Sequence, residues 1–374
     1  MARKILFLIS SLRSGGAERV AVNLANAWVE RGDQIILVAT YSKKEESFYT
    51  LPKNIELHYL ADLIDNENRK GFLQQISRLL ALRRSIKATQ PDVVLSFLSN
   101  VNIAALIAAH WTKYPVIVSE RAYPPMMPLG TFYEKLRKWI YPYAASIVMQ
   151  TSKGQQWVID NVPLGRSTVI PNSVVYPLVA FEPKLPVESI VSQDRKVLLA
   201  VGRLDEQKGF DYLLLAFAKL AKEHQNWDLI ILGEGPIKQS LISQIQALEL
   251  ESRVHVLGRA GNVGDWYQRA DLYVMSSRFE GFPNTLLEAM AHGCAVVSYD
   301  CDTGPRDIIQ HEKNGLLVSP VGDVSALALA LDRLMKNDAA RQQMGQKAIE
   351  VREDYSLESI IMKWDKLFDD VIKK

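Results

Sequence analysis

The chain has 374 residues, of which 48% are hydrophobic and 23% charged. That length favours two domains of similar size and excludes a single small module, while the composition excludes wholesale disorder and a collagen-like chain. The net charge of +2 divides unevenly: residues 1–185 carry 22 Lys and Arg against 14 Asp and Glu, a net +8, and residues 186–374 carry 22 against 28, a net −6, which suggests that the first half meets something anionic.

In chain order, short runs rich in Val, Ile and Leu alternate with longer helical periodicities, the pattern of parallel sheets covered by helices. Strands are predicted at 4–10, 34–40, 55–60, 92–98, 115–120 and 146–151, with helices between most of them. The stretch 171–195 contains Pro171, Pro177, Pro183 and Pro186 without a sustained period and reads as the join. Strands then restart at 196–204, 228–233, 254–258, 272–277, 295–300 and 315–319, and from Asp323 the chain reads as three helices with no intervening strand. The expected architecture is α/β, with two Rossmann-like doubly wound domains over 1–175 and 196–355, a linker over 176–195, and a last helix over 356–374 returning towards the first domain.

Cys294 and Cys301 are the only cysteines and build no disulfide framework, which fits a reducing compartment. The apolar run 5–9 is too short for a signal peptide and no stretch reaches 18 apolar residues. The expectation is a cytoplasmic protein whose membrane contact, if any, is peripheral.

Three segments carry chemistry. The first strand runs through Ser10 into Gly15-Gly16 and a helix; paired glycines there let the backbone approach an anion at a helix N-terminus, or merely allow a tight turn. The segment is neither Gly-x-Gly-x-x-Gly nor a Walker loop. The second half opens with Val201-Gly202-Arg203-Leu204-Asp205-Glu206-Gln207-Lys208-Gly209, which puts Arg203 and Lys208 at the carboxyl edge of a parallel sheet, where such folds bind ligands. A guanidinium and an ammonium suit a diphosphate, although a solvated loop would look the same. In Phe279-Glu280-Gly281-Phe282-Pro283-Asn284-Thr285-Leu286-Leu287-Glu288, Pro283 marks a helix start near Asn284. Glu280 then lies ahead of the helix and Glu288 one turn inside, facing one cleft, with the N–H groups of Asn284 and Thr285 as an anion site between them. Carboxylates are the usual partners of ribose or sugar hydroxyls.

Gly202-Arg203-x4-Lys208-Gly209 and Glu280-Gly281-Phe282-x5-Glu288, with Gly15-Gly16 upstream and Gly304-Pro305-Arg306-Asp307-Ile308-Ile309 downstream, resemble glycosyltransferase family 4. These are retaining nucleotide-sugar enzymes of the GT-B fold, in which two Rossmann-like domains face a central cleft. The resemblance spans nearly the whole chain. It implies that Arg203 and Lys208 hold the donor diphosphate and stabilise charge on the departing nucleotide, that Glu288 binds the ribose, that Glu280 contacts the sugar hydroxyls, and that Gly15 and Gly16 approach from the opposite domain. Gly281, Phe282, Asn284 and Thr285 complete the expected donor segment. No metal or other cofactor is needed for such chemistry, and Asp300-Cys301-Asp302, which superficially matches an Asp-x-Asp metal motif, reads as a metal-free loop. Where many relatives place a His, this chain has Glu120 and Arg121. The Ser-Glu-Arg form resembles a subgroup of polysaccharide and lipid-linked oligosaccharide enzymes, and leaves Glu120 as an acceptor-side base or as a partner of Arg121.

The basic charge concentrates in two segments. Residues 68–91 hold Arg69, Lys70, Arg78, Arg83, Arg84 and Lys87 and no acid, with Phe72, Ile76, Leu79, Leu80 and Ile86 on one helical stripe that Arg83 interrupts. In 132–143, Phe132, Leu136, Trp139, Ile140 and Tyr143 share a face opposite Lys135, Arg137 and Lys138. Basic amphipathic helices suit an anionic membrane surface, and both would also simply cover a sheet. Arg69, Lys70, Arg78, Arg84, Lys135, Lys138 and Trp139 are the candidate acceptor and membrane contacts; nucleic acid is a poorer partner for a nearly neutral chain.

The expected function is retaining transfer of a hexose or N-acetylhexosamine (GalNAc, Gal or GlcNAc) from a UDP-sugar to an undecaprenyl-diphosphate-linked glycan in polysaccharide or glycoprotein biosynthesis, at the inner face of the cytoplasmic membrane. The alternatives are a soluble acceptor, a non-catalytic sugar-nucleotide-binding protein, and a dinucleotide-dependent oxidoreductase. The last is prompted by Gly233-Glu234-Gly235, with Pro236 and the missing third glycine against it.

Overall fold

The strands Lys4–Ile9 and Gln34–Ala39 of the first half are apolar and buried after their first residue, because helices cover both faces of their sheet. In a computed structural model that describes residues 2–13, 15–41, 51–64 and 71–373, the chain divides into two units, Met1–Ser173 with Leu357–Lys374, and Val174–Ser356. Arg69 and Lys70 lie outside the described residues.

In the first unit β1 (Lys4–Ile9), β2 (Gln34–Ala39), β3 (Glu56–Tyr59), β4 (Val93–Phe97), β5 (Val116–Ser119), β6 (Ser146–Met149) and β7 (Ser167–Val169) form a parallel sheet in the order β3-β2-β1-β4-β5-β6-β7. The sequence pattern did not predict β7, a three-residue edge strand whose side chains are only half-buried and carry no strong alternation. One face of the sheet is covered by the helices Gly16–Glu30 and Leu357–Ile372. Phe7, Trp28, Phe97, Trp364 and Phe368 meet there with ring centroids 4.8–6.3 Å apart. Arg3 fastens that last helix, with its guanidinium 2.6 Å from both Asp33 and Asp365.

The helices Phe72–Thr89, Ser99–Ala109, Thr131–Ile140 and Ser152–Asn161 cover the other face. Two of them turn differently from expectation. In Thr131–Ile140 the buried residues are Arg137 and Ile140, while Phe132 and Trp139, and Tyr143 just beyond, stand in solvent. Arg137 goes inward because it finds two carboxylates, Glu134 at 2.5 Å and Glu120 at 3.7 Å, and stacks over Trp157. In Phe72–Thr89 the core takes Ala81, Leu82 and Ile86, and leaves Leu73, Ile76 and Leu80 exposed. Arg83 interrupts the expected stripe for a reason: its guanidinium donates to the carbonyls of Ala108 and His110 at 3.0 and 2.6 Å. Arg78 lies over the Tyr41 ring, and Arg84 is exposed.

In the second unit β8 (Lys196–Val201), β9 (Trp227–Leu232), β10 (Val254–Gly258), β11 (Leu272–Met275), β12 (Val296–Tyr299) and β13 (Leu316–Val318) form a parallel sheet in the order β10-β9-β8-β11-β12-β13. The direction of winding reverses between β8 and β11, the place where doubly wound sheets open a crevice beyond their carboxyl ends. Gly233 has φ +149°, and a Cβ on it would run into the Gly202 carbonyl oxygen. The Gly233-Glu234-Gly235 run therefore answers to the close approach of two strand ends rather than to a dinucleotide.

The stretch 176–195 is packed rather than a free linker. Phe181 N donates to the Gly261 carbonyl at 3.2 Å, Leu185 N donates to Asn262 Oδ1 at 2.8 Å, and Val187 and Val191 join the core beside Trp266. Its prolines break periodicity without freeing the chain, because side chains and backbone are still satisfied against the second unit. After Asp323 come the helices Val324–Met335, Asp338–Ala348, Val351–Asp354 and Leu357–Ile372, so the last part of the chain is broken once more than its periodicity suggested.

Candidate active site

At the carboxyl ends of β8 and β11 two loops are stitched together. Gly209, with φ +61°, lies so close to the Ser276 carbonyl that any Cβ would collide with it. Ser276 Oγ donates to the Lys208 carbonyl at 3.0 Å, Gln207 Nε2 to the Phe279 carbonyl at 3.0 Å, and Arg278 N to the Gln207 carbonyl at 2.7 Å. The 202–209 and 276–283 segments, far apart in sequence, are thus one surface.

That surface joins Lys208 to Glu280. Lys208 Nζ is 2.6 Å from Glu280 Oε1, and Ser277 Oγ donates to the same oxygen at 2.6 Å. Glu280 is buried, and its backbone carbonyl accepts from the Thr303 hydroxyl. Thr303 begins the Thr303-Gly304-Pro305-Arg306 turn, where Gly304 N donates to Asp307 Oδ2 at 3.0 Å and the Gly304 Cα abuts Pro283. Arg203, on the same loop as Lys208, is exposed and held by Asp205 at 2.5 Å. An exposed guanidinium on the same loop as the Lys208 ammonium suits an anion with two phosphates.

The helix Asn284–Ala291 starts at this edge, and Pro283 in its cap position offers no side-chain oxygen to the first turn. Thr285 Oγ1 accepts from Tyr273 Oη at 3.0 Å, and the buried Glu288 accepts from Tyr267 Oη at 3.2 Å. Both carboxylates bear on the Tyr273 hydroxyl, whose pKa is pushed far up, first by burial and then by Glu280 and Glu288. Phe282, expected at the donor, turns its ring into the core against Tyr355, with centroids 5.8 Å apart, and leaves its backbone to the loop next to Gly281. Asp300 is gripped by Arg306, whose Nε and Nη2 donate to its two oxygens at 2.9 and 2.8 Å. That leaves the Asp-x-Asp pair without the two open carboxylates a divalent ion would want.

In the first unit Glu120 directly follows β5 and is buried at the carboxyl end of the sheet. It accepts from Ser99 Oγ at 2.6 Å and from the Tyr141 hydroxyl, and its ion-pair partner is Arg137, not Arg121. Burial pushes its pKa up despite Arg137. Arg121 is the next residue along the same loop. Its guanidinium lies 4.3 Å over the Phe97 ring and donates to Asn172 Oδ1, which also accepts from Gln150 Nε2 at 2.7 Å. Burial lowers the Arg121 pKa to about 9, opposed by Glu18. Glu18 stands in the first turn of the helix that Gly15 and Gly16 open, its pKa raised by burial and countered by the Ser10 hydroxyl and Arg121. Gly15 is extended and closed over by the Glu18 carboxylate.

Sequence reasoning named Arg203, Lys208, Glu280 and Glu288 but not the groups that hold them. Ser277 holds the Glu280 carboxylate and Tyr267 that of Glu288, while Thr303 holds the Glu280 carbonyl and Tyr273 the Thr285 hydroxyl; Arg121 interacts electrostatically with Glu18. Ser276-Ser277 directly after a strand at the winding reversal was a visible signal; Tyr267 and Tyr273 had none.

Two family models match the chain. One, described as Glycosyl transferases group 1, matches residues 182–351, and the other, described as Glycosyltransferase Family 4, matches residues 14–175. A Campylobacter jejuni protein named as the alpha-1,4-N-acetyl-D-galactosaminyltransferase of a GalNAc-GalNAc-diNAcBac-PP-undecaprenol is 29% identical, over 98% of this chain and 99% of its own. A second C. jejuni protein, named as an N-acetylgalactosamine-N,N'-diacetylbacillosaminyl-diphospho-undecaprenol 4-alpha-N-acetylgalactosaminyltransferase, is 28% identical over 92% and 94%. Among solved structures, the Anabaena protein HepE in complex with UDP and glucose shares the fold, with a TM-score of 0.81 at 20% identity over 98% of this chain and 99% of that one.

Proposed function

The chain belongs to glycosyltransferase family 4 and is a glycosyltransferase of the GT-B fold, and from that premise we propose that it transfers a hexose or N-acetylhexosamine from a UDP-sugar to an undecaprenyl-diphosphate-linked glycan with retention at the anomeric carbon. The observation that carries this reading is the Lys208–Glu280 pair beside Arg203 at the end of β8. Breaking the bond between the sugar and the diphosphate leaves negative charge on the nucleotide, and Arg203 and Lys208 stabilise that charge where it develops. Lys208 then moves its ammonium from Glu280 towards the phosphate, which frees the Glu280 carboxylate to accept from hydroxyls of the sugar. Glu288, oriented by Tyr267, accepts from the ribose hydroxyls. This clamp supplies the positive charge without a metal ion. The C. jejuni relatives' printed names support GalNAc as the first donor to try and a diphospho-undecaprenol glycan as the acceptor, bound by the first unit, whose carboxyl edge offers Arg121 to phosphate or hydroxyl. Among the described residues no helix is long and apolar enough to cross a membrane, and the enzyme meets its lipid-borne acceptor from the membrane surface.

The test is a set of reactions pairing UDP-GalNAc, UDP-Gal or UDP-GlcNAc with a synthetic undecaprenyl-diphosphate-linked oligosaccharide, read by mass spectrometry. The expected product is the acceptor extended by sugar from one donor, with the anomeric configuration kept by NMR. UDP binding with no transfer to any acceptor, or transfer confined to a soluble sugar, overturns the reading.

A further inference from the structure

The first unit leaves a set of aromatic side chains in water: Trp111 is 88% exposed, Phe132 71%, Trp139 61% and Tyr143 57%. They form a connected strip. The His110 ring lies 4.4 Å from Trp111 and 5.1 Å from Tyr143, and Tyr143 lies 6.1 Å from Trp139. Phe132 precedes Trp139 by two helical turns along one side.

The strip is edged by positive charge. Lys113, Lys135 and Lys138 are all exposed. The acids between residues 99 and 145 are Glu120 and Glu134, and both turn to the buried Arg137. At the strip's end a groove of about 870 Å³ opens at the amino-terminal ends of β4 and β5, with Trp111, Lys113, Tyr114, Tyr143 and Arg166 in its wall and Leu106 in its apolar part. Asp92, also in the wall, has its carboxylate turned to the Lys4 amide at 2.7 Å.

Aromatic rings, Trp and Tyr carrying a polar end, interleaved with lysines in a segment whose acids both turn to Arg137, match the headgroup layer of an anionic bilayer, where rings sit at the interface and ammonium groups meet phosphates. We propose that this face docks the first unit on an anionic phospholipid bilayer, with a phosphodiester headgroup seated in the groove between Lys113 and Arg166. The proposal deepens, and rests on, the reading of a lipid-borne acceptor. It places a membrane contact on Thr131–Ile140 and the turn at Trp111.

Flotation with phosphatidylglycerol/phosphatidylcholine vesicles and with phosphatidylcholine alone tests it, comparing the wild-type chain with the Trp111→Ser/Tyr143→Ser and Lys113→Gln/Arg166→Gln pairs. The wild type should float with the anionic vesicles and far less with the neutral ones. The aromatic pair should weaken partitioning on the order of ten-fold and the cationic pair by a similar factor at low salt. Transfer to a water-soluble short-chain acceptor should stay at the wild-type level in both, which certifies the fold. Variants that float like the wild type, or a wild type that transfers but does not float, overturn the proposal. So does a wild type that self-associates through this strip, seen as a dimer that the aromatic pair makes monomeric. A protein that floats as described but extends no lipid-diphosphate acceptor in detergent overturns the acceptor reading and leaves this surface standing.

Discussion

Lys208 and Glu280 form an ion pair of 2.6 Å in which the carboxylate is almost wholly withdrawn from water and the ammonium is partly open to it. In the proposed transfer the pair opens when a donor phosphate recruits Lys208, and the carboxylate and the diphosphate compete for one cation. Glu280→Gln removes the competitor while Ser277 still has an oxygen to donate to. UDP binding should be retained or tightened, by up to about ten-fold for a released charge pair, whereas turnover falls roughly 100-fold. Titration calorimetry with UDP beside a transfer assay checks this, and a Gln variant that no longer binds UDP contradicts the exchange. Lys208→Ala should do the reverse, losing UDP affinity and about 2 kcal/mol of stability through the stranded carboxylate.

Arg203 is exposed, and its guanidinium pairs with Asp205 two residues away. Its removal should cost the fold almost nothing, within roughly 0.5 kcal/mol, yet reduce kcat about 100-fold. Arg203→Lys should recover little of that, because an ammonium cannot reproduce a forked contact to phosphate. Melting curves and initial rates on the same preparations separate the two effects.

Glu120→Gln should be a stability variant. It strips Arg137, itself buried, of a carboxylate and leaves Glu134 as its ion-pair partner, at a cost of about 3 kcal/mol. The rate per folded molecule on a soluble acceptor should hold within a few-fold. A fully stable Gln variant with abolished turnover would instead return Glu120 to the chemistry.

His292 supplies a pH dependence. Burial depresses its pKa below the ordinary 6.5, with Arg352 pushing the same way and the Glu288 carbonyl and Asp265 opposing. The rings of Tyr176 and Tyr267 pack on either side, at 5.0 and 5.3 Å. A histidine held neutral contributes stability that is fully present above the unfolded value and is lost as pH falls through the folded one. Between pH 7.5 and 5 the wild-type Tm should fall more steeply than that of His292→Gln, and parallel curves would show that His292 is not the group responsible.

Both cysteines should be silent in the native protein. Burial pushes the Cys294 and Cys301 thiols up to about 12, and each donates to a backbone carbonyl, of Tyr267 and Ser277, at 3.1 Å. At pH 8 a thiolate-seeking disulfide reagent should label neither until denaturant is added; rapid labelling of Cys301 would mean that the Glu280 loop opens on its own.

The alternation of apolar runs with helical periods was enough to read two doubly wound sheets, because strands buried on both faces and amphipathic helices obey different periods. The loops carrying Arg203, Lys208 and Glu280 were readable as segments at strand ends because glycine and proline punctuate them. What failed depended on partners far away in sequence. Arg137 looks like a surface cation until Glu120, 17 residues earlier, is brought beneath it, and once Arg137 turns inward Phe132 and Trp139 must turn out. The segment 176–195 looks unstructured because its contacts, such as Leu185 to Asn262, are made one residue at a time and leave no period.

The helix Leu357–Ile372 completes the core beneath Trp28 and Phe97, although the rest of that unit ends at Ser173. During synthesis, everything in Val174–Ser356 leaves the ribosome before the first unit can close. The second unit is thus free to fold first, and the first unit waits with an apolar groove open until Leu357–Ile372 arrives. A chain interrupted before residue 357 would release a sheet lacking Trp364 and Phe368, a natural substrate for quality-control proteases.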